Sequence, residues 1–141
     1  GQSNMAGRGK IDLLSTPNNL RILMLTEKNE WMIAKDPLHF DKPKVIGVGP
    51  GLSFAQEILA IEKDKDVRIG LIPCAVGGTS IDMWQPGEDA YHPYDDTIER
   101  LHAAMQYGVV KGIVWHQGEG DSNVEKSKVY IEKTGKAYNS L

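Results

Sequence analysis

Three short polar segments hold most of the side chains that could do chemistry: residues 1–7 (GQSNMAG), 47–51 (GVGPG) and 115–119 (WHQGE). Ser3 offers a hydroxyl that can attack an ester carbonyl once a base takes its proton. A serine among small residues serves equally well as a turn or helix-cap residue. The nucleophile-elbow pattern G-x-S-x-G is absent, because Met5 stands where its second glycine belongs. Glycines 47, 49 and 51 suit either tight turns or a close approach of backbone to a ligand. His116, Glu119 and Asp121 are of metal-ligating types, but two glycines intervene and no partner cluster stands elsewhere, so no metal site is expected. His39, His92 and His102 read as surface or half-buried packing residues. Cys74, the single cysteine, cannot form an internal disulfide, and its apolar flanks predict a buried, inert thiol.

Such loops need a scaffold to bring them together. The 141 residues carry a net charge of −3, with 40% hydrophobic and 25% charged residues, which fits one globular domain. The mild acidity and the lack of any Lys/Arg cluster predict no nucleic-acid partner, since phosphate-backbone binding needs a basic face. The longest apolar stretch, residues 69–76, contains Gly70 and Pro73 and falls far short of the roughly 18 residues of a membrane helix, so no membrane association is expected.

The apolar periodicity alternates between strand and helix. Residues 21–26 (RILMLT) and 30–34 (EWMIA) predict a hairpin across the polar turn at 27–29, followed by a Pro/Gly-rich loop over 35–50. Leu52, Ala55, Ile58 and Leu59 recur at helical spacing, giving a helix over 51–64 with Pro50 in its first turn. Residues 67–75 (VRIGLIPCA) predict a strand buried on both faces, and residues 111–116 (KGIVWH) a second. Helices are expected over 94–106 and 124–137. No internal repeat or linker interrupts this order, which predicts a three-layer α/β architecture. In open α/β sheets the ligand crevice lies outside the carboxyl ends of the strands, so the polar segments should meet there.

Taken together, GQSNMAG at 1–7, GPGLSFA at 49–55, PCAVGGTS at 73–80 and WHQGEGD at 115–121 resemble one family in order and across essentially the whole chain. The chain is similar to the SGNH-type esterases of the sialate O-acetylesterase-like group, which includes carbohydrate esterase family 6 and its acetylxylan esterases. That resemblance implies a three-layer α/β/α, flavodoxin-like fold with a mainly parallel sheet. It also implies a serine esterase that removes O-acetyl groups from carbohydrate through an acetyl-enzyme, without a cofactor. Ser3 becomes the nucleophile. The Ser3 N–H, a glycine N–H and the Gln117 side chain become the oxyanion donors, with Gln117 replacing the asparagine of the wider superfamily. Either Gly47 or Gly49 aligns with the glycine; Gly49, immediately before Pro50, is preferred. Glu119 either orients a catalytic histidine or holds its loop by hydrogen bonds.

The chain also departs from the family pattern. No Asp-x-x-His follows the 115–121 segment, where the family pattern supplies the general base and its orienting acid; the two such spacings present, Asp36 to His39 and Asp89 to His92, precede it. The sequence opens at the nucleophile loop, which normally follows a buried first strand. Residues 1–141 are therefore expected to be a single SGNH domain lacking its first strand and its Asp-x-x-His segment, and inactive alone. Two other readings compete. A nucleotide-binding α/β domain fails on detail, since Leu52 takes the third glycine position of G-x-G-x-x-G. A non-catalytic carbohydrate-binding module would use Trp84 and Tyr91 as exposed stacking surfaces.

Overall fold

The computed structural model describes residues 1–15, 19–87 and 93–140. Three strands, β1 (Ile22–Leu25), β2 (Trp31–Ile33) and β3 (Ile69–Leu71), form one sheet in the order β2-β1-β3. β1 and β2 pair antiparallel, with Met24 opposite Met32, across a turn in which Asn29 takes φ 58°. β1 and β3 pair parallel, with Leu23 opposite Gly70. The sheet is thus mixed. β1 lies between two neighbours that pair with its backbone on both edges, and Ile22, Met24 and Leu25 are buried.

Four α-helices surround the sheet among the described residues: α1 (Ser3–Ala6), α2 (Pro50–Ile61), α3 (Pro93–Met105) and α4 (Val124–Asn139). Pro50 at the start of α2 loses no hydrogen bond there, because the first N–H groups of a helix have no partner within it. Leu52, Ala55 and Leu59 of α2 pack on Ile22, Met24, Ala34 and Leu38 to make the main apolar core. Arg100 docks α3 by polar means. Its guanidinium donates to the Leu25 and Thr26 carbonyls and to Asn29 Oδ1, and it lies 4.9 Å from the Phe40 ring centroid. Asn123 caps α4, accepting from the Lys126 N–H at 3.0 Å. None of the described helices is long and apolar enough to cross a membrane.

Two expected strands are corrected. Residues 67–75 give only the three-residue β3, whose side chains are half-buried or exposed, so they are not covered on both faces. Pro73 carries no N–H, and β1, the partner of β3, ends at Leu25. Residues 111–116 form no strand and are half-buried to exposed, because no described residue pairs with them in a ladder. Trp84 is also corrected. It is buried, packs edge-on against Trp115 at 5.0 Å, and donates its indole N–H to Thr79 Oγ1. Tyr91 and His92 lie outside the described residues.

Candidate active site

Ser3 is half-buried at the start of α1, and backbone contact packs its loop against the segment before α2. Gly9 and Val48 exchange backbone hydrogen bonds at 3.0 and 2.9 Å, and the Gly47 N–H donates to the Gly7 carbonyl at 3.1 Å. Gly7 takes φ 95°, and a Cβ there would lie 2.5 Å from the Gly47 oxygen. A Cβ on Gly47 would lie 2.0 Å from the Gly9 oxygen. Glycine at 7 and 47 is therefore what lets the two loops touch main chain to main chain.

The residues flanking Ser3 both reach the 117–121 segment. Gln2 accepts from Gln117 Nε2 at 3.2 Å through its side chain, and its backbone N–H donates to the His116 carbonyl at 3.0 Å. Asn4 on the other side donates its amide to the Glu119 carboxylate. Gln117 is buried, and its Nε2 also donates to the Thr79 carbonyl at 3.1 Å and to Asp121 Oδ2 at 2.6 Å. Tyr130 of α4 closes this wall by donating to the Gln117 carbonyl at 2.6 Å.

A third wall comes from residues 73–80. The Ser3 Cβ lies 3.5 Å from where a Cβ on Gly77 would sit, so the glycine leaves room beside the serine. An ion pair fixes this approach. Asp41 Oδ2 accepts from Arg8 at 2.8 Å and from the Gly77 N–H at 2.7 Å, while Arg8 also donates to the Gly7 carbonyl at 2.7 Å. Burial alone would raise the Asp41 pKa, but the hydrogen bonds from Arg8 and Gly77 and the Arg8 charge outweigh it and hold the carboxyl below its usual range. Asp41, inside the loop expected over residues 35–50, thus carries a buried tie, and nothing in its spacing announced it.

All four expected site residues, Ser3, Gly49, Gln117 and Glu119, belong to these converging segments. Both candidate glycine N–H groups already have acceptors: Gly47 donates to the Gly7 carbonyl, and Gly49 to the Asp36 carboxylate. Burial raises the Asp36 pKa despite the hydrogen bonds from Gly49 and Leu38. Glu119 accepts from the Asn4 amide across the two loops. Asp121 is buried among Gln117 and the Ile81 N–H, which it accepts at 2.8 Å. Among the described residues no cluster of three or more His, Cys, Asp or Glu could hold a metal ion.

The histidines divide. His102 and His116 are exposed, whereas His39 is buried against α1, with its Nδ1 unpartnered. Burial depresses the His39 pKa to about 4 against the pull of Asp41, and a hydrogen bond to the Ala6 backbone joins it to the nucleophile loop. The expectation of a surface or half-buried His39 is therefore corrected to a fully packed one. Cys74 is half-buried, where the sequence predicts a buried thiol, and burial raises its pKa.

An α/β scaffold that gathers Ser3, a glycine loop and a Gln/Glu loop at one place has the layout of the carbohydrate esterases. The family model described as "Carbohydrate esterase, sialic acid-specific acetylesterase" matches residues 1–141, and the chain belongs to that family. It is similar to the probable carbohydrate esterase At4g34215 of Arabidopsis thaliana, with 40% identity over 139 residues, covering 86% of this chain and 52% of that protein. The crystal structure of Arabidopsis thaliana At4g34215 superposes with a TM-score of 0.89 at 32% identity, over 99% of this chain and 64% of the other. The chain spans about half the length of the curated relative it matches.

Proposed function

We propose that these residues belong to a serine esterase that removes O-acetyl groups from carbohydrate, with acetylxylan and sialic-acid-like sugars as the substrate classes. The observation that carries this reading is the bracketing of Ser3, whose neighbours Gln2 and Asn4 each bond the segment holding Gln117 and Glu119. Ser3 Oγ attacks the acetyl carbonyl as a base takes its proton. The sugar hydroxyl then leaves with a proton, and water cleaves the acetyl-enzyme to acetate and free serine. The developing oxyanion is met by the Ser3 N–H, the Gly49 N–H and Gln117 Nε2. At Gln117 and Gly49 it must outcompete acceptors that these donors already hold.

The general base is proposed to come from outside residues 1–141, in which no Asp-x-x-His follows the 115–121 segment. His39, with a pKa depressed to about 4, is a poor acceptor for a serine proton at neutral pH. The 141 residues alone should therefore release little or no acetate. The mixed sheet is proposed to be part of a larger, mainly parallel three-layer SGNH sheet. In support, the Gly1 carbonyl accepts from the Val76 N–H at 3.1 Å while the Gln2 N–H donates to His116, so residues 1–2 lie between those two segments. The binding-module alternative loses one of its two stacking residues with Trp84 buried, and the other, Tyr91, lies outside the described residues.

The test is acetate release from acetylated xylan and O-acetylated sialic acid by the whole protein and its Ser3→Ala variant. Ser3→Ala should fold normally and lose at least about 10³-fold in kcat, because nucleophile and base act as a unit. Turnover near that of the unsubstituted protein would refute the serine mechanism.

A further inference from the structure

The amide of Gln117 is the most heavily committed polar group near Ser3. Its Nε2 carries two hydrogens but faces three acceptors: Asp121 Oδ2 at 2.6 Å, the Thr79 carbonyl at 3.1 Å and Gln2 Oε1 at 3.2 Å. Its Oε1 is buried and has no partner. A side-chain amide that leaves its carbonyl unpaired is being held by its nitrogen, and the acceptor best able to hold it is a carboxylate. Asp121 is only 2% exposed. Its Oδ2 takes both the Ile81 N–H at 2.8 Å and the Gln117 N–H, while Lys126 Nζ stands 4.0 Å from Oδ1.

We propose that Asp121 is a positioning residue whose buried carboxylate fixes Gln117 with its N–H₂ group, and not its carbonyl, turned toward Gln2 and the Ser3 loop. A flip of the amide would set Oε1 at the present 2.6 Å contact against an Oδ2 that already accepts from the Ile81 N–H, two acceptors with no hydrogen between them. One Gln117 hydrogen is spent on Asp121. The other is shared between two longer and weaker contacts, so it is the hydrogen a reaction oxyanion can recruit. The function of Asp121 lies in presenting an acceptor at the Oδ2 position rather than in its charge. Asparagine can present its own carbonyl there, whereas alanine cannot.

The kinetic part of this proposal rests on the esterase reading, so the experiment has two arms. In the first, kcat and KM for acetate release are measured in the whole protein for Asp121→Ala, Asp121→Asn, Gln117→Ala and the double variant Gln117→Ala/Asp121→Ala. Asp121→Ala should lower kcat by about tenfold or more with KM within about threefold, and Asp121→Asn should stay within about threefold of the unsubstituted enzyme. Because Asp121 acts through Gln117, the double variant should be no slower than Gln117→Ala by more than about threefold. Equal defects in Asp121→Ala and Asp121→Asn, or defects that multiply in the double variant, would overturn the proposal. An inert unsubstituted enzyme, or an active Ser3→Ala, would overturn the esterase reading instead.

The second arm needs no turnover and uses the 141-residue chain. The Gln117 side-chain N–H₂ signal in a nitrogen-15 NMR spectrum, assigned by its loss in Gln117→Ala, should show one hydrogen slow to exchange with solvent and one faster. The same asymmetry should persist in Asp121→Asn. Equal exchange of the two hydrogens would overturn the lock whatever the kinetics show.

Discussion

The region built on β1 and the region from residue 107 onward are held by different forces. Around β1, a ladder on each side and the packing of α2 bury a continuous apolar cluster from Ile22 to Leu59. From residue 107 onward no ladder forms. α4 buries only Ala137, while Val124 is 72% and Ile131 84% exposed. What fixes that region near Ser3 is a set of side-chain hydrogen bonds: Gln117 to Gln2 and Asp121, Asn4 to Glu119, and Tyr130 to the Gln117 carbonyl. The nucleophile loop lies between the two and is tied to both. Stability should therefore respond to apolar truncation in the first region, and site geometry to polar substitution in the second.

The largest effect on stability should come from Leu52→Ala, which empties part of the α2 face where it meets β1. Leu52 is buried in the main cluster, so its loss should destabilise the chain by about 2–5 kcal/mol, from lost transfer energy plus a cavity. Denaturant unfolding of the 141-residue chain measures this. A cost below about 1 kcal/mol would mean that the cluster is loosely packed and that the contrast between the regions fails.

How much of this was legible in the sequence follows the same contrast. The hairpin, α2, α3 and α4 were readable because their periodicity and turn residues are local, and local preference agreed with the surroundings. Residues 111–116 were misread because an apolar run becomes a strand only with a neighbour to pair with, and sequence alone does not supply one. The trio Ser3, Gln117 and Glu119 was readable through motif order. Arg8, Asp41 and Asp121 were not, since each acts through a partner more than 30 residues away or through the backbone of another loop. Gln2 was quoted only as part of a motif, although it makes the contact that joins Ser3 to Gln117.

A smaller effect is expected where the nucleophile loop meets the first region. His39 is buried with its pKa lowered from 6.5 to about 4, so between those values the unfolded chain binds a proton that the folded chain does not. The His39 contribution to stability should then be complete above about pH 6.5, fall as the pH drops, and level off near pH 4, for a total of up to about 3 kcal/mol. The Gly1 amino group, its pKa lowered by burial from 8.0 to about 5, adds a loss of the same sign between those values. Asp41, with its pKa held down, loses its own contribution only at still lower pH, and Asp36, with its pKa raised, acts in the opposite sense just above the ordinary carboxylate range. His39→Gln can keep a hydrogen bond to the Ala6 backbone while removing the titration. Its unfolding free energy should fall less steeply from about pH 6.5 to 4.5 than that of the unsubstituted chain, the remaining slope being largely that of the Gly1 amino group, and parallel curves for the two would remove His39 as a cause.

The smallest effect tests the second region. Val124, Ile131 and Tyr138 recur every seven residues along α4, a spacing that normally marks a buried stripe, yet all three are exposed, Tyr138 at 51%. Ile131→Lys therefore removes no packing. Lysine also has a helix propensity at least as good as that of isoleucine, so the intrinsic cost is about zero or slightly favourable. The neighbouring charges are of both signs, with Lys128 bonded to Glu125 and Lys136 to Glu132, so one added cation on this surface should be worth only a few tenths of a kcal/mol. Unfolding of the 141-residue Ile131→Lys chain should therefore match that of the unsubstituted chain within about 0.5 kcal/mol, with no change in the denaturant slope. A loss above about 1 kcal/mol would show that α4 buries this stripe in solution, and that apolar packing as well as hydrogen bonds braces the Gln117 wall.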